Sequence, residues 1–319
     1  MDDDVCILCA NQCFLLTSLD GATTDTRPLE DLTSSQEEAD TLIILHSIYA
    51  DRTGTEDADI IIHSPDTDVF LLLIAFCHKC THQLYFDTGV GNKRRMIHIQ
   101  TLCQKIDKDI QDCILGLHAF TGCDVNSAFV QKGKAKPLNL LLKNPNFILA
   151  FKEMGRSETV SEDLLCQLEK FVCHLYGKPS YSSTNKLRHD LVRQKYMVKG
   201  QCLLSSFEGL DISLLPPCRA ALHMHCLRAN YQAMIWKKAD IAQPNIPGPQ
   251  GHGWKKEDNG MLSIDWCKDL FPQQLADILS ESQTDQEQDS DDDVLSDTNN
   301  SVHDQDSSDS ETSEDEESD

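Results

Sequence analysis

Apolar and polar positions change period several times along this chain, and each change marks an expected element. Val5–Leu8 and Cys13–Leu16 are short apolar runs separated by Ala10-Asn11-Gln12, the pattern of a β-hairpin or strand pair. A Thr- and Asp-rich stretch from Asp20 to Thr33 predicts a loop. A helix follows from about Gln36 to Tyr49, capped by Ser35, with Glu38 placed to complete a capping box. The β-branched run Asp59–His63 predicts a strand, and Asp66 to Lys79 a helix. His82–Phe86 and Met96–Ile99 are expected strands, and Thr101 to His118 another helix. Strands alternating with helices predict an α/β fold with a mainly parallel sheet flanked by helices.

Beyond Asn144 the pattern becomes helical. Leu164, Leu165, Leu168, Phe171, Val172 and Leu175 recur at helical spacing within Ser161–Tyr176. Asn185–Lys195 and Pro217–Lys238 are further helices, and Gln243–Gly253, with three Pro and three Gly, is an extended connector. On the Pro217–Lys238 helix, His223, His225, Arg228, Tyr231 and Trp236 read as core packing rather than a ligand site. The expected organisation is an α/β domain over 1–145, a helical extension over 146–275 and a disordered acidic tail over 276–319.

Charge sets that tail apart. The chain carries 52 acidic and 28 basic residues, a net of −24. Seventeen of the acidic residues, and no Lys or Arg, lie between Glu281 and Asp319, so the first 280 residues have a net of only −7. Such a segment cannot bury enough apolar surface to offset chain entropy. Ser308 and Ser313, each followed by acidic residues, suit an acidophilic kinase. The tail is expected to contact a basic partner or the protein's own basic groove, or only to solubilise. No basic-then-apolar leader follows Met1, and the longest apolar run, Val69–Cys77, is too short to span a bilayer. Fourteen Cys read as reduced thiols, so the expected location is intracellular, nuclear or cytoplasmic.

The candidate chemistry is carboxylate chemistry. Ile60-Ile61-Ile62-His63-Ser64-Pro65-Asp66-Thr67-Asp68 ends an apolar strand in two carboxylates one residue apart. In α/β sheets, ligands collect at the carboxyl ends of strands, and clustered carboxylates there suggest a cation. Upstream, Glu37, Glu38 and Asp40 open a helix; downstream, Gly122-Cys123-Asp124 ends one. Each group has a plain alternative. Acids in a first turn offset the helix dipole, and Asp66 can be an N-cap. An aspartyl-phosphatase reading of Asp66-Thr67-Asp68 fits poorly, because Phe70 occupies its fifth position.

Read in order, Glu38-Ala39-Asp40, Asp66-Thr67-Asp68 and Gly122-Cys123-Asp124 resemble the metal-binding half of the flap endonuclease–XPG nucleases, members of the PIN-like fold. The resemblance covers roughly residues 30–145. It implies Mg²⁺ or Mn²⁺ held by Glu38, Asp40, Asp66, Asp68 and Asp124, with Asp66 and Asp68 central to phosphodiester hydrolysis. Helical geometry keeps Glu37 open beside Glu38, because Glu37 and Asp40 share a helix face. The family's opening strand, with its own carboxylate, has no counterpart before Glu37, so either the implied domain is N-terminally shortened with an incomplete site or the chain is a fragment of a longer product. Five carboxylates suffice for one Mg²⁺, which takes one or two of them together with water and phosphate.

The resemblance also implies a nucleic-acid partner, DNA in the first place. Lys132, Gly133, Lys134 and Lys136 match the family's phosphate-binding turn, with one glycine where the family has two. Arg94 and Arg95 form a second basic turn suited to backbone phosphates. No membrane partner is expected. A catalytically inactive PIN-like module, binding nucleic acid or protein, stands beside the enzyme reading. Residues 5–275 are also similar to a group of multicopy animal proteins associated with mobile elements, a likeness that supplies no activity. Cys77-His78-Lys79-Cys80-Thr81-His82 and Cys6, Cys9 and Cys13 each lack a second half for tetrahedral zinc, so buried thiols are expected.

Overall fold

The computed structural model describes residues 5–9, 12–18, 24–196 and 212–267. The acidic tail expected over 276–319 lies outside the described residues. Strands β1 (Val5–Cys9) and β2 (Gln12–Ser18) form the expected antiparallel pair. The stretch read as a loop contains a third strand, β3 (Thr24–Leu29), antiparallel to β2. Only its last residue, Leu29, is buried, so β3 is held by backbone pairing and shows no apolar alternation.

Helix α1 (Ala39–Thr53) starts three residues later than expected. Ser35 does not cap it, and Glu38 is the N-cap residue without a side-chain cap bond. Residues before α1 are tied instead to the loop after the last long helix. Ser34 Oγ donates to the Ala242 carbonyl at 2.8 Å, and Gln36 Nε2 donates to the Ile241 carbonyl at 2.6 Å. The Ser35 N–H also donates to the Ala242 carbonyl, at 3.1 Å, so this segment runs along that loop instead of opening the helix.

The central sheet contains β4 (Ile60–His63), β5 (Leu84–Thr88) and β6 (Arg95–His98), in the order β4-β5-β6. Helix α2 (Thr67–Phe76) connects β4 to β5, which pair in parallel with Ile62 opposite Phe86. β5 and β6 are antiparallel, so the fold is mixed α/β with small sheets rather than one mainly parallel sheet. The reason is the link between them: residues 89–94 are too few for a crossover of a dozen or more residues.

The single helix expected over Thr101–His118 is two, α3 (Ile99–Cys103) and α4 (Lys108–Thr121). Asp107 makes the break, because its Oδ1 accepts from the Asp109 N–H at 2.8 Å and caps α4. α4 is buried along most of its length, with Phe120 and Ala119 fully enclosed. α5 (Ala135–Lys143), α6 (Ile148–Glu153), α7 (Glu162–Leu175), α8 (Thr184–Tyr196) and α9 (Arg219–Trp236) follow. A short hairpin, β7 (Trp254–Lys256) and β8 (Leu262–Ile264), ends the described chain.

One hydrophobic core runs from Ile44 to Ala239 and takes in α1, α2, α4, α6, α7 and α9. Beyond residue 145, α6, α7 and α9 therefore close over the same core as the sheet, and α9 packs along α4. A smaller cluster of Cys13, Leu15, Leu29, Leu32, Leu42 and Leu45 seats the N-terminal strands on α1. Among the described residues, no helix is long and apolar enough to cross a membrane.

Candidate metal centre

The site forms where β4 ends and two helices begin. Ser64 Oγ accepts from the Asp66 N–H at 3.1 Å, stopping the strand. Asp66 itself has extended backbone angles (φ −84°, ψ 133°), and its Oδ1 accepts from the Asp68 N–H at 2.8 Å. Two residues apart within a helix would point in nearly opposite directions. A non-helical cap at Asp66 removes that constraint, so both carboxylates face one side. Capping occupies one oxygen of Asp66 and leaves the other for a cation.

Asp40 enters from the first turn of α1. One ligand oxygen from each of Asp40, Asp66 and Asp68 lies within 4.8 Å of the other two. Burial, and then the like charges of Asp66, Asp68, Glu38 and Asp124, push the Asp40 carboxyl up to about 6. An all-oxygen donor set of hard carboxylates suits Mg²⁺ or Mn²⁺, and the repulsion on Asp40 is the kind a divalent cation relieves.

Glu38 is turned away from this triad toward α9. Its Oε1 accepts from Gln232 Nε2 at 2.8 Å, and its Oε2 from Trp236 Nε1 at 3.1 Å. Burial raises its pKa, against the lowering effect of both hydrogen bonds, and Asp68 and Asp124 add to the rise. Glu37 is exposed and stands outside the triad. Asp124 sits at the tip of a tight turn closed by reciprocal backbone bonds between Cys123 and Asn126, at 3.0 and 3.1 Å. It reaches Glu38 and Asp40 as a like charge but is not one of the three converging ligands. Gly122 makes this turn possible: its φ is +109°, and a Cβ there would lie 2.7 Å from Ala128 Cα.

Three groups at the site carry no signal in the motif spacing. His118 Nε2 donates to Asp68 Oδ1 at 2.7 Å, and only 6% of its side chain is exposed. Its ring stacks on Trp236, with centroids 5.5 Å apart. Trp236 is buried as expected for a core residue, yet its indole N–H serves Glu38. His118, Trp236 and Gln232 thus join Asp68 to Glu38 through α4 and α9. About two hundred residues separate Glu38 from its partners on α9, so local pattern could not reveal them.

The basic residues divide. Lys134 folds its ammonium onto the end of α4, donating to His118 O at 3.0 Å, Thr121 Oγ1 at 3.2 Å and Gly122 O. Burial lowers it to about 8. It caps a helix that ends beside Asp68. Lys132 Nζ lies 4.0 Å over the Tyr176 ring, while Lys136 is exposed and Gly133 turns with φ +56°. Arg94 is committed to a buried acid: its Nε and Nη2 donate to Asp87 at 2.9 and 2.6 Å, and His63 joins the same carboxylate. The Arg94 contact, more than His63, holds the Asp87 carboxyl down at about 2. Arg95 is exposed at the start of β6. Cys77 is buried, and its Sγ donates to Cys103 Sγ at 2.9 Å; His82 pairs with Asp51.

The raised Asp40 pKa has a direct consequence. Between about 4 and 6 the folded chain holds a proton that the unfolded chain has lost, so stability without metal falls as pH rises through that window. Thermal melts in EDTA at pH 4.5 and 7 should show this decline, and Asp40→Asn should flatten it. Millimolar Mg²⁺ or Mn²⁺ should raise Tm more at pH 7 than at pH 5, because a cation requires the ionised carboxylates. No metal-dependent shift at pH 7 would mean that the triad is only a capped, ion-free structure.

Fold and site together define a mixed α/β protein with three aspartates gathered at two helix N-termini. Compared with known proteins, the chain matches no family model, no curated protein and no solved structure.

Proposed function

We propose that this α/β part is a PIN-like domain and that the protein hydrolyses phosphodiesters of nucleic acid, DNA in the first place, with Mg²⁺ or Mn²⁺. The observation that carries the reading is the convergence of Asp40, Asp66 and Asp68. These three side chains would hold the cation, which when bound supplies Lewis-acid polarisation of a phosphate and a more acidic water. Asp66 holds its place through the α2 cap. His118 orients Asp68, and Lys134 steadies the end of α4 beside it. Glu38, fixed by Gln232 and Trp236, and Asp124, on its turn, add negative potential at the rim. Lys132, Lys136 and Arg95 are available for backbone phosphates, whereas Arg94 is spent on Asp87.

A second reading is a nucleic-acid-binding or interaction module without catalysis. It is favoured by one specific arrangement: Asp68 is already paired with His118, and both oxygens of Glu38 accept hydrogen bonds. Two of the five carboxylates named from the motifs are thereby engaged within the chain.

Incubation with flap, hairpin and single-stranded DNA separates the two. The enzyme reading expects cleavage with Mg²⁺ or Mn²⁺ that EDTA removes. Binding that weakens steeply with salt but never cuts would leave the module. In either case, deleting residues 281–319 should tighten binding several-fold at low salt, because seventeen acidic residues repel the same phosphates or compete for the same cations. Equal affinity of the full and shortened chains would leave the tail a solubilising role only.

A further inference from the structure

Arg228, midway along α9, is a buried cation that the described residues leave almost without partners. It is 6% exposed, and the hydrogen bond it makes, from Nη1 to the Gly253 carbonyl, is long at 3.4 Å. Asp265 acts on it as an opposite charge through the field, and burial lowers its pKa. The Trp266 ring centroid is 6.0 Å from the guanidinium carbon. A guanidinium has five N–H donors in a planar fork, and one long bond leaves most of them facing the space beside the ring of Trp266.

Arg228 lines a cavity of about 220 Å³ together with His225, Ser127, Phe129, Tyr176 and Trp266. The walls are mostly flat and apolar. His225 adds no charge: burial pushes it down to about 4, and its Nε2 donates to the Phe120 carbonyl at 2.7 Å. Lys132, over the Tyr176 ring, puts a second cation near the same aromatic wall. The Gly251-His252-Gly253-Trp254 segment is fitted to this place. A Cβ on Gly253, whose φ is +84°, would come within 2.6 Å of Arg228 Cγ, and His252 stacks on Tyr231 at 5.0 Å.

A buried planar cation, aromatic walls and a small volume specify a ligand with a matching anionic head and flat body. We propose that this cavity binds a small oxyanion carried on an aromatic group, an aryl carboxylate or an aryl phosphate, anchored through Arg228. The site is separate from the aspartate triad and needs no divalent metal.

Calorimetric titration and thermal melts of the full chain in EDTA, with benzoate, phenyl phosphate and inorganic phosphate, test this. At least one aryl anion should bind saturably at one site and raise Tm, and inorganic phosphate should bind more weakly. A carboxylate or phosphate preference identifies the head group. Arg228→Met should weaken that binding about 100-fold or more, with apo Tm unchanged or higher, because a buried charge has been replaced by an apolar stem. Arg228→Lys, which keeps the charge without the fork, should weaken it about tenfold. The proposal is overturned if neither aryl anion binds at millimolar concentration. It is equally overturned if Arg228→Met markedly lowers apo Tm or prevents folding, since the guanidinium would then already serve the chain. Because no metal is present, neither outcome depends on the nuclease reading.

Discussion

Asp66→Asn and Asp68→Asn should each lower metal-dependent cleavage by at least about 100-fold, the upper end of what losing even an outer-shell partner of a metal costs. Both changes remove a charge while keeping nearly the same shape. Asn caps helices about as well as Asp, so the bond from the Asp68 N–H to residue 66 persists and α2 should still start at Thr67. At position 68 the amide oxygen still accepts from His118 Nε2. Relief of repulsion should leave either variant's Tm in EDTA at least equal to the parent's, while the Mg²⁺-induced rise disappears. Gel-based cleavage and paired melts check both halves. Cleavage at parental rates by both variants would remove the triad from the chemistry.

The second large effect is on stability and runs through α9. Trp236→Ala should cost about 3–5 kcal/mol, the range for truncating a buried aromatic, since Trp236 is 2% exposed and stacks on His118. Trp236→Phe isolates the indole N–H. It keeps most of the packing and should cost about 1.5–3 kcal/mol, the loss of one hydrogen bond to a charged group. Urea denaturation of the two variants measures both values. If Glu38 is the partner that matters, Glu38→Gln should reduce the cost of the Phe substitution, because a neutral amide loses less when one donor is removed. Equal costs in both backgrounds would show that the 3.1 Å contact carries no net stability.

Much of the architecture was legible because its cause is local. Apolar runs at strand and helix spacing marked β4, α2, α7 and α9, and Asp66 stood out as a possible cap of the helix it does cap. β3 escaped notice, because an exposed strand of Thr, Asp and Arg is held by backbone pairing that side-chain pattern does not report. The split between α3 and α4 was legible in principle from Asp107, which caps α4, but the apolar rhythm on either side obscured it. Ser35 was a plausible cap that lost to geometry: the residues beside it dock on the carbonyls of Ala239, Ile241 and Ala242.

For the site, the sequence by itself determined the ingredients: acids at the starts of α1 and α2, an Asp after a glycine that turns with positive φ, and lysines beyond it. Local backbone preference is enough to place an acid at a helix cap, so these positions could be named without coordinates. Which acids meet was decided only by tertiary structure. Asp40, Asp66 and Asp68 converge because α1 and β4–α2 pack against each other, while Asp124 stays at the rim and Glu38 is drawn to α9. His118, Gln232, Trp236 and the enclosed Arg228 took their roles the same way. Their partners lie tens to hundreds of residues away, and only burial of a shared core brings them together. Periodicity records which face of an element is covered; it does not record what covers it.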